Sequence, residues 1–198
     1  MKSIIVTGCD GMLGHKILQY LKPRFENIYG TIKGPKNSEF YDRTEIFSQC
    51  KIIDNLDALK TDDLISVIRE IKPAEIINCI GVIKQRDEAR EHITSIMINS
   101  LLPHILAKTC EEWGGRLIHF STDCVFSGKK GSYDELSKTD ADDLYGKSKA
   151  KGEILNNSSS LTIRASMIGR EIYQNQYHLH YLKNLWLISH QEQHFLLP

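Results

Sequence analysis

Residues Thr7 to Gly14 read T-G-C-D-G-M-L-G, after the β-branched apolar run Ser3 to Thr7 and before a helical apolar pattern over Met12 to Leu21. No other stretch restricts the fold as tightly. A strand that passes through three spaced glycines into a helix opens a βαβ unit. Gly8 permits the tight bend, Gly11 lets an anion come close to the backbone, and Gly14 lets the helix pack against the strand. The N–H groups at the helix start, around Asp10, Met12 and Leu13, are then free to meet a pyrophosphate. The spacing is T-G-x-x-G-x-x-G rather than G-x-G-x-x-G. The reading is a dinucleotide-binding turn, set against the alternative that the glycines serve only the bend.

The rest of the chain alternates in the same way. Strands are expected over Asn27 to Lys33, Lys51 to Ala58, Glu75 to Cys79, Arg116 to Ser121 and Leu161 to Ala165. Helices are expected from Thr61, as its cap, to about Ile71, from about Glu88 to Trp113 with a kink near Pro103, and from Tyr145 to about Leu155. Gly128 to Asp140 reads as a polar loop. Such alternation predicts an α/β fold, a Rossmann-type doubly wound parallel sheet with helices on both faces. The pattern fills residues 1–171. Residues 172–198 differ: they lack glycine, carry only Lys183 and Glu192 as charges, and hold half of the eight histidines.

Composition excludes several classes. The 25 basic and 25 acidic side chains cancel, and no long basic run is present, so nucleic acid is not an expected partner. No apolar stretch approaches membrane-spanning length, and the N-terminal run reads as a buried strand rather than a signal peptide. The five cysteines form no C-x-x-C pair; reduced thiols in a cytoplasmic protein fit better than a disulfide framework or a zinc site. His178 and His180 have no acid or cysteine cluster beside them, so no metal is expected.

Cofactor choice is read at the end of the second strand. An NAD-type site places an acid there, on the adenosine ribose. This chain has Gly30-Thr31-Ile32-Lys33-Gly34. Lys33 is positioned to meet a 2′-phosphate, which favours NADP over NAD; the alternative is an exposed lysine near a loop. Asp57 and Ala58, after the third strand, are candidates to bracket the adenine.

Tyr145 and Lys149 are spaced Y-x-x-x-K, one helical turn apart. A free phenol has a pKa of about 10, and a neighbouring ammonium lowers it. Tyr145 then becomes a proton donor to a carbonyl oxygen, and Lys149 is also able to hold the nicotinamide ribose. Thr122 stands in Ser121-Thr122-Asp123, at the carboxyl end of the fifth strand, where open parallel sheets bind ligands. The competing readings are an amphipathic helix with an exposed lysine, and a threonine that only caps a strand end.

Taken in order, T-G-x-x-G-x-x-G, I-N-C-I-G at Ile77 to Gly81, H-F-S-T-D-C-V-F-S-G at His119 to Gly128 and Y-G-K-S-K at Tyr145 to Lys149 resemble the extended short-chain dehydrogenase/reductase superfamily. Within it, S-T-D-x-V-F-x-G is similar to the dTDP-4-dehydrorhamnose reductase family. The resemblance implies NAD(P)H as hydride donor, a 4-keto nucleotide sugar as substrate in surface polysaccharide synthesis, and Thr122, Tyr145 and Lys149 as catalytic triad. It implies that Cys79, Ile80 and Gly81 line the cofactor, that Asn99 supports Lys149 through water, and that Thr122, Asp123, Cys124, Val125 and Phe126 face the substrate. A homodimer through the helices around Glu88 to Trp113 and Tyr145 to Leu155 is implied as well. Cys124 stands where the family often has Tyr. Relatives usually run well beyond 198 residues, so the C-terminal substrate lobe is expected to be largely missing, as in a truncated chain. Alternatives are a sugar-nucleotide epimerase or dehydratase, and a non-catalytic dinucleotide-binding protein such as the regulatory subunit of methionine adenosyltransferase.

Overall fold

The computed structural model describes residues 2–36, 41, 45–82 and 91–167. The tail over 172–198, with His178 and His180, lies outside the described residues, as do Glu88 and the other first residues of the expected long helix.

Six parallel strands form one sheet. They are β1 (Ile4–Thr7), β2 (Ile28–Thr31), β3 (Lys51–Ile53), β4 (Glu75–Asn78), β5 (Arg116–Ser121) and β6 (Ser160–Arg164), in the order β3-β2-β1-β4-β5-β6. This is the Rossmann-type order, whose direction reverses between β1 and β4; ligands of such sheets bind in the crevice at that reversal. Several strands are shorter than their apolar runs, because pairing stops where the chain turns towards the next helix. β3 ends at Ile53, so Asp57 and Ala58 belong to the loop that follows it.

Both faces are covered, which explains why the strands read as continuous apolar runs. On one face Ile4, Val6, Ile28 and Ile77 pack with Leu18 and Leu21 of α1 (Met12–Leu21) and with Ile46 and Phe47 of the short helix α2 (Glu45–Ser48). On the other, Ile5, Ile76 and Leu117 pack with Leu64 and Ile68 of α3 (Thr61–Ile71) and with Leu102 and Leu106 of α5 (Leu102–Glu111). Thr61 does not cap α3. Lys60 holds the cap position without a side-chain bond, and the Thr61 hydroxyl donates to the Ala58 carbonyl at 3.1 Å.

The long helix before β5 has three parts: α4 (His92–Ser95), a π-helical segment (Ile96–Leu101) and α5. The interruption therefore centres on Asn99, upstream of Pro103. Pro103 sits in the first turn of α5, where it supplies no N–H to the helical run that continues from the π-helical segment. The last helix, α6 (Leu144–Lys151), is shorter than expected and is capped by Asp143, which accepts from the Gly146 N–H at 2.9 Å.

A polar row crosses the sheet just below its carboxyl edge. Thr31, Thr7, Asn78 and His119 are register partners on β2, β1, β4 and β5, and all are buried. Thr7 Oγ1 donates to Asn78 Oδ1 (2.9 Å), the Ile80 N–H donates to the same oxygen (3.2 Å), and Asn78 Nδ2 donates to His119 Nδ1 (3.1 Å). The row forms the floor beneath the loops that follow the strands.

Candidate active site

The glycine turn is built as its spacing demands. Gly8 has φ +67°, the left-handed region that favours glycine, and a Cβ there would meet Ile80 Cγ1 at 2.9 Å. A Cβ on Gly14 would run into the Gly8 carbonyl oxygen and come to 2.7 Å from Cys9 Cα. Gly11 differs: it is exposed, and a Cβ on it would meet only the Gly8 oxygen, at 3.4 Å. It is the N-cap of α1, with no side-chain cap and no acid in the first turn. No side chain caps the helix start at Met12 and Leu13, and of the turn's three glycines the one with open space is the one that must admit an anion. This cradle fits a dinucleotide pyrophosphate. Asp10 accepts from the Tyr41 hydroxyl at 3.1 Å. Cys9 is buried against Gly30 of β2, and burial pushes its thiol well above the ordinary range despite the adjacent helix start, so it fills space.

Lys33 and Asp57 meet beyond β2 and β3. Their side chains form an ion pair of 3.2 Å, with Lys33 72% exposed. Burial works to raise the Asp57 carboxyl, but the Leu59 N–H and Lys33 outweigh it and hold the group below its usual range. Ala58 is buried in the core rather than open to a ligand.

On the other side of the reversal, the loop after β4 faces α6. A Cβ on Gly81 would lie 3.5 Å from Asn99 Oδ1 and 3.9 Å from Lys149 Nζ. Asn99 is fully buried. It accepts from the Val82 N–H (2.9 Å) and donates to the Val82 carbonyl (3.1 Å) and Ser148 Oγ (3.2 Å). Ser148 Oγ donates in turn to the Tyr145 carbonyl at 2.9 Å. The π-helical segment is thereby fastened to the backbone of α6 one residue from Lys149.

Lys149 is 5% exposed, not the solvated lysine of an ordinary amphipathic helix, and its Nζ donates to the Phe120 carbonyl at 2.7 Å. Burial pulls its pKa down to about 8, against the opposing pull of Glu153 and Cys79. Cys79 is itself pushed up by burial, with Lys149 acting the other way. His119, below it, is lowered to about 3 by burial and by Lys149.

Thr122 caps the 3-10 turn Asp123–Val125: its Oγ1 accepts from the Cys124 N–H (3.1 Å) and donates to Asp123 Oδ1 (3.0 Å). The strand-end cap and the candidate donor are one residue. Cys124 Sγ also lies 3.7 Å from Asp123 Oδ1. Val125 is fully buried, so it anchors the turn and is not open to a substrate. Phe126 stacks on Tyr133, centroids 4.3 Å apart, with the Arg164 guanidinium 5.0 Å from its ring centre. Gly146 lets α6 approach this turn, because a Cβ there would overlap the Cys124 carbonyl oxygen. Thr122, at the end of β5, and Tyr145 and Lys149, on α6, thus lie on elements that meet at one edge of the sheet, beside the loop after β4. Among the described residues no group of three or more His, Cys, Asp or Glu side chains is placed to hold a metal, and no helix is long and apolar enough to cross a membrane.

The sequence pattern passed over Ser148, Glu153 and Arg164. The Y-x-x-x-K spacing draws attention to its two ends, and the Glu153–Arg164 pair joins a helix end to a strand without a local signature.

Residues 1–185 match the family model for the RmlD substrate binding domain, and the chain belongs to that family. Methionine adenosyltransferase 2 subunit beta of Danio rerio is 31% identical over 154 residues, 77% of this chain and 42% of that protein. The dTDP-4-dehydrorhamnose reductase of Streptomyces griseus is 27% identical over 150 residues, 75% of this chain and 43% of that protein. This chain therefore spans less than half the length of these curated relatives. The crystal structure of dTDP-4-dehydrorhamnose reductase from Bacillus anthracis str. Ames, in complex with NADP, shares the fold with a TM-score of 0.67 at 23% identity, over 98% of this chain and 62% of that one.

Proposed function

We propose that this member of the RmlD substrate binding domain family binds NADP(H), or NAD(H), across the β1–β4 reversal and serves reduction of a 4-keto-6-deoxy nucleotide sugar in surface polysaccharide synthesis. The observation that carries the reading is the meeting of Gly81, Asn99 and Lys149 beside the glycine turn, with Thr122 and Tyr145 along the same edge. Cofactor contacts fall to the turn from Gly8 to Gly14, to Lys33 and Asp57, to Cys79, Ile80 and Gly81, and to Tyr145 and Lys149.

A bound reduced nicotinamide supplies the hydride. Tyr145 gives a proton to the carbonyl oxygen as it gains charge. Lys149, an ammonium at neutral pH, favours the phenolate left behind. Thr122 rotates its O–H from Asp123 to the same oxygen, as an oxyanion-type donor. Free, largely buried thiols suit a reducing cytoplasm. Two copies pair through the exposed Ile93, Ile96 and Leu101; a purely monomeric species in sedimentation at micromolar concentration refutes the pairing.

The test is NADPH oxidation with dTDP-4-keto-6-deoxy sugars. In a chain extended by a family-type C-terminal lobe, Tyr145→Phe is expected to abolish turnover with NADPH affinity nearly unchanged, and Thr122→Val to lower it by about 10²–10³. Full activity in Tyr145→Phe overturns the assignment. A second reading, a non-catalytic nucleotide-binding subunit, is favoured by the 31% identity to methionine adenosyltransferase 2 subunit beta. Cofactor binding by the lobe-extended chain with no turnover of any 4-keto nucleotide sugar selects it.

A further inference from the structure

Behind the edge just described lies a buried ion pair that the triad does not use. Glu153, two residues past α6, is 6% exposed. Its Oε1 accepts from Ser121 Oγ at 2.8 Å and from Arg164 Nε at 2.7 Å, and its Oε2 accepts from Arg164 Nη2 at 2.7 Å. The pair is lopsided, because the Glu153 side chain is 2% exposed and that of Arg164 21%. Ser121 directly precedes Thr122. Arg164 also reaches the Glu135 carbonyl, at 3.5 Å, and lies over Phe126. One carboxylate thus joins the end of β5, the end of α6, β6 and the loop after the 3-10 turn.

Resting on the reading of Lys149 as the ammonium of the site, we propose that Glu153 is a positioning residue: its buried carboxylate holds the end of β5 against α6 and supplies the negative charge that keeps Lys149 protonated. Lys149 needs such a charge, because its Nζ is removed from water and its one described hydrogen bond goes to a neutral carbonyl. Among the described residues, the other groups around it do not provide one. Cys79, at the end of β4, stays a neutral thiol because burial raises it. His119, on β5, is neutral. The π-helical segment contains no titratable residue. His92 of α4 and Asp123 of the 3-10 turn are exposed, and Asp123 accepts from Thr122. Tyr145, on the same helix as Lys149, carries no charge until its proton leaves. Among the described residues Glu153 is the buried anion of this neighbourhood, and its pull opposes the effect of burial on Lys149.

The two partners of the pair give opposite expectations, which a purely structural pair would not. Glu153→Gln removes the anion and leaves Arg164, so the Lys149 titration moves down by about one unit or more. Arg164→Gln removes the cation and leaves the anion, so the titration moves up. Both are read by NMR on the 198-residue chain labelled with 13C-lysine, with the Lys149 signal assigned by Lys149→Arg. No substrate or cofactor is present, so a chain that reduces no sugar still tests the proposal. Shifts of the same sign in both variants, or none, overturn it. A wild-type measurement covers the case in which neither variant folds. The Glu153 carboxyl carbon should show an inflection near the Lys149 midpoint of about 8, and a flat trace there overturns the proposal equally.

Discussion

Gly11 and Gly14 stand three residues apart in one turn, yet a side chain is expected to act on them in opposite ways. Gly11 has φ −74° and ψ 168°, an extended conformation open to any residue. Its added Cβ meets one atom, at 3.4 Å, which is ordinary contact. Gly11→Val therefore costs only the poorer N-cap, about 0.5–1 kcal/mol, a fall in Tm of about 1–4 °C for a chain of this size. The same side chain stands in the space left for the pyrophosphate, so NADPH affinity is expected to drop at least about 100-fold, or about 2.7 kcal/mol. Gly14→Ala is the reverse case. Its Cβ overlaps the Gly8 carbonyl oxygen and comes to 2.7 Å from Cys9 Cα, both of them backbone that can yield only by moving α1 off the sheet. Overpacking of that kind costs about 1–3 kcal/mol, or more where backbone must shift. Urea denaturation and calorimetric titration of the two variants check the pair. NADPH binding by Gly11→Val at wild-type strength, or a Gly14→Ala chain as stable as wild type, refutes the reasoning.

Two further outcomes follow from the same geometry. Lys33 is exposed, and an exposed ion pair such as that with Asp57 is worth only about 0–1 kcal/mol, so Lys33 is easily drawn to a 2′-phosphate; NADPH is expected to bind at least as tightly as NADH, and Lys33→Ala to weaken NADPH alone. NADH more than about tenfold tighter, unaffected by that substitution, contradicts this; a factor of ten is about 1.4 kcal/mol. His119 has its pKa depressed from 6.5 to about 3, so the unfolded chain binds the extra proton between those values and stability falls as pH drops from about 6.5 towards 3. Urea midpoints across that range should fall less steeply in His119→Gln than in wild type, and equal slopes refute the assignment.

The strand-turn-helix of Ile4 to Leu21 was legible because its glycines, apolar run and helical period agree at every position. The edge carrying Thr122, Tyr145 and Lys149 was legible because short motifs mark it. Interior detail was not. A π-helical segment keeps the apolar spacing of an α-helix over one turn, so Ile96–Leu101 looks regular until its backbone bonds are traced. Val125 lies in a run whose neighbours face outward, and only the 3-10 turn decides that it points inward. Lys149 reads as a surface lysine in any helical projection; its burial comes from tertiary packing, which brings its Nζ to the Phe120 carbonyl on a strand 29 residues earlier. Glu153 and Arg164 carry no pattern, because a helix end and a strand meet there by tertiary packing alone.

The polar row at the top of the sheet bears on how the chain finds its alignment. A sheet apolar on both faces gives hydrophobic burial little power to tell one strand offset from the next, since a shift of one residue exchanges one greasy side chain for another. Thr7, Asn78 and His119 remove that ambiguity. Displacing β4 by one position against β1 and β5 would swing Asn78 to the opposite face, among Val6, Cys9 and Leu18, and strand the hydroxyl of Thr7 and the ring of His119. Each stranded group costs about 1–3 kcal/mol. The three side chains act as a ruler for strand offset, and the ruler is placed at the end of the strands where a misalignment of one residue would also move Gly8, Gly81 and Thr122 out of line with one another.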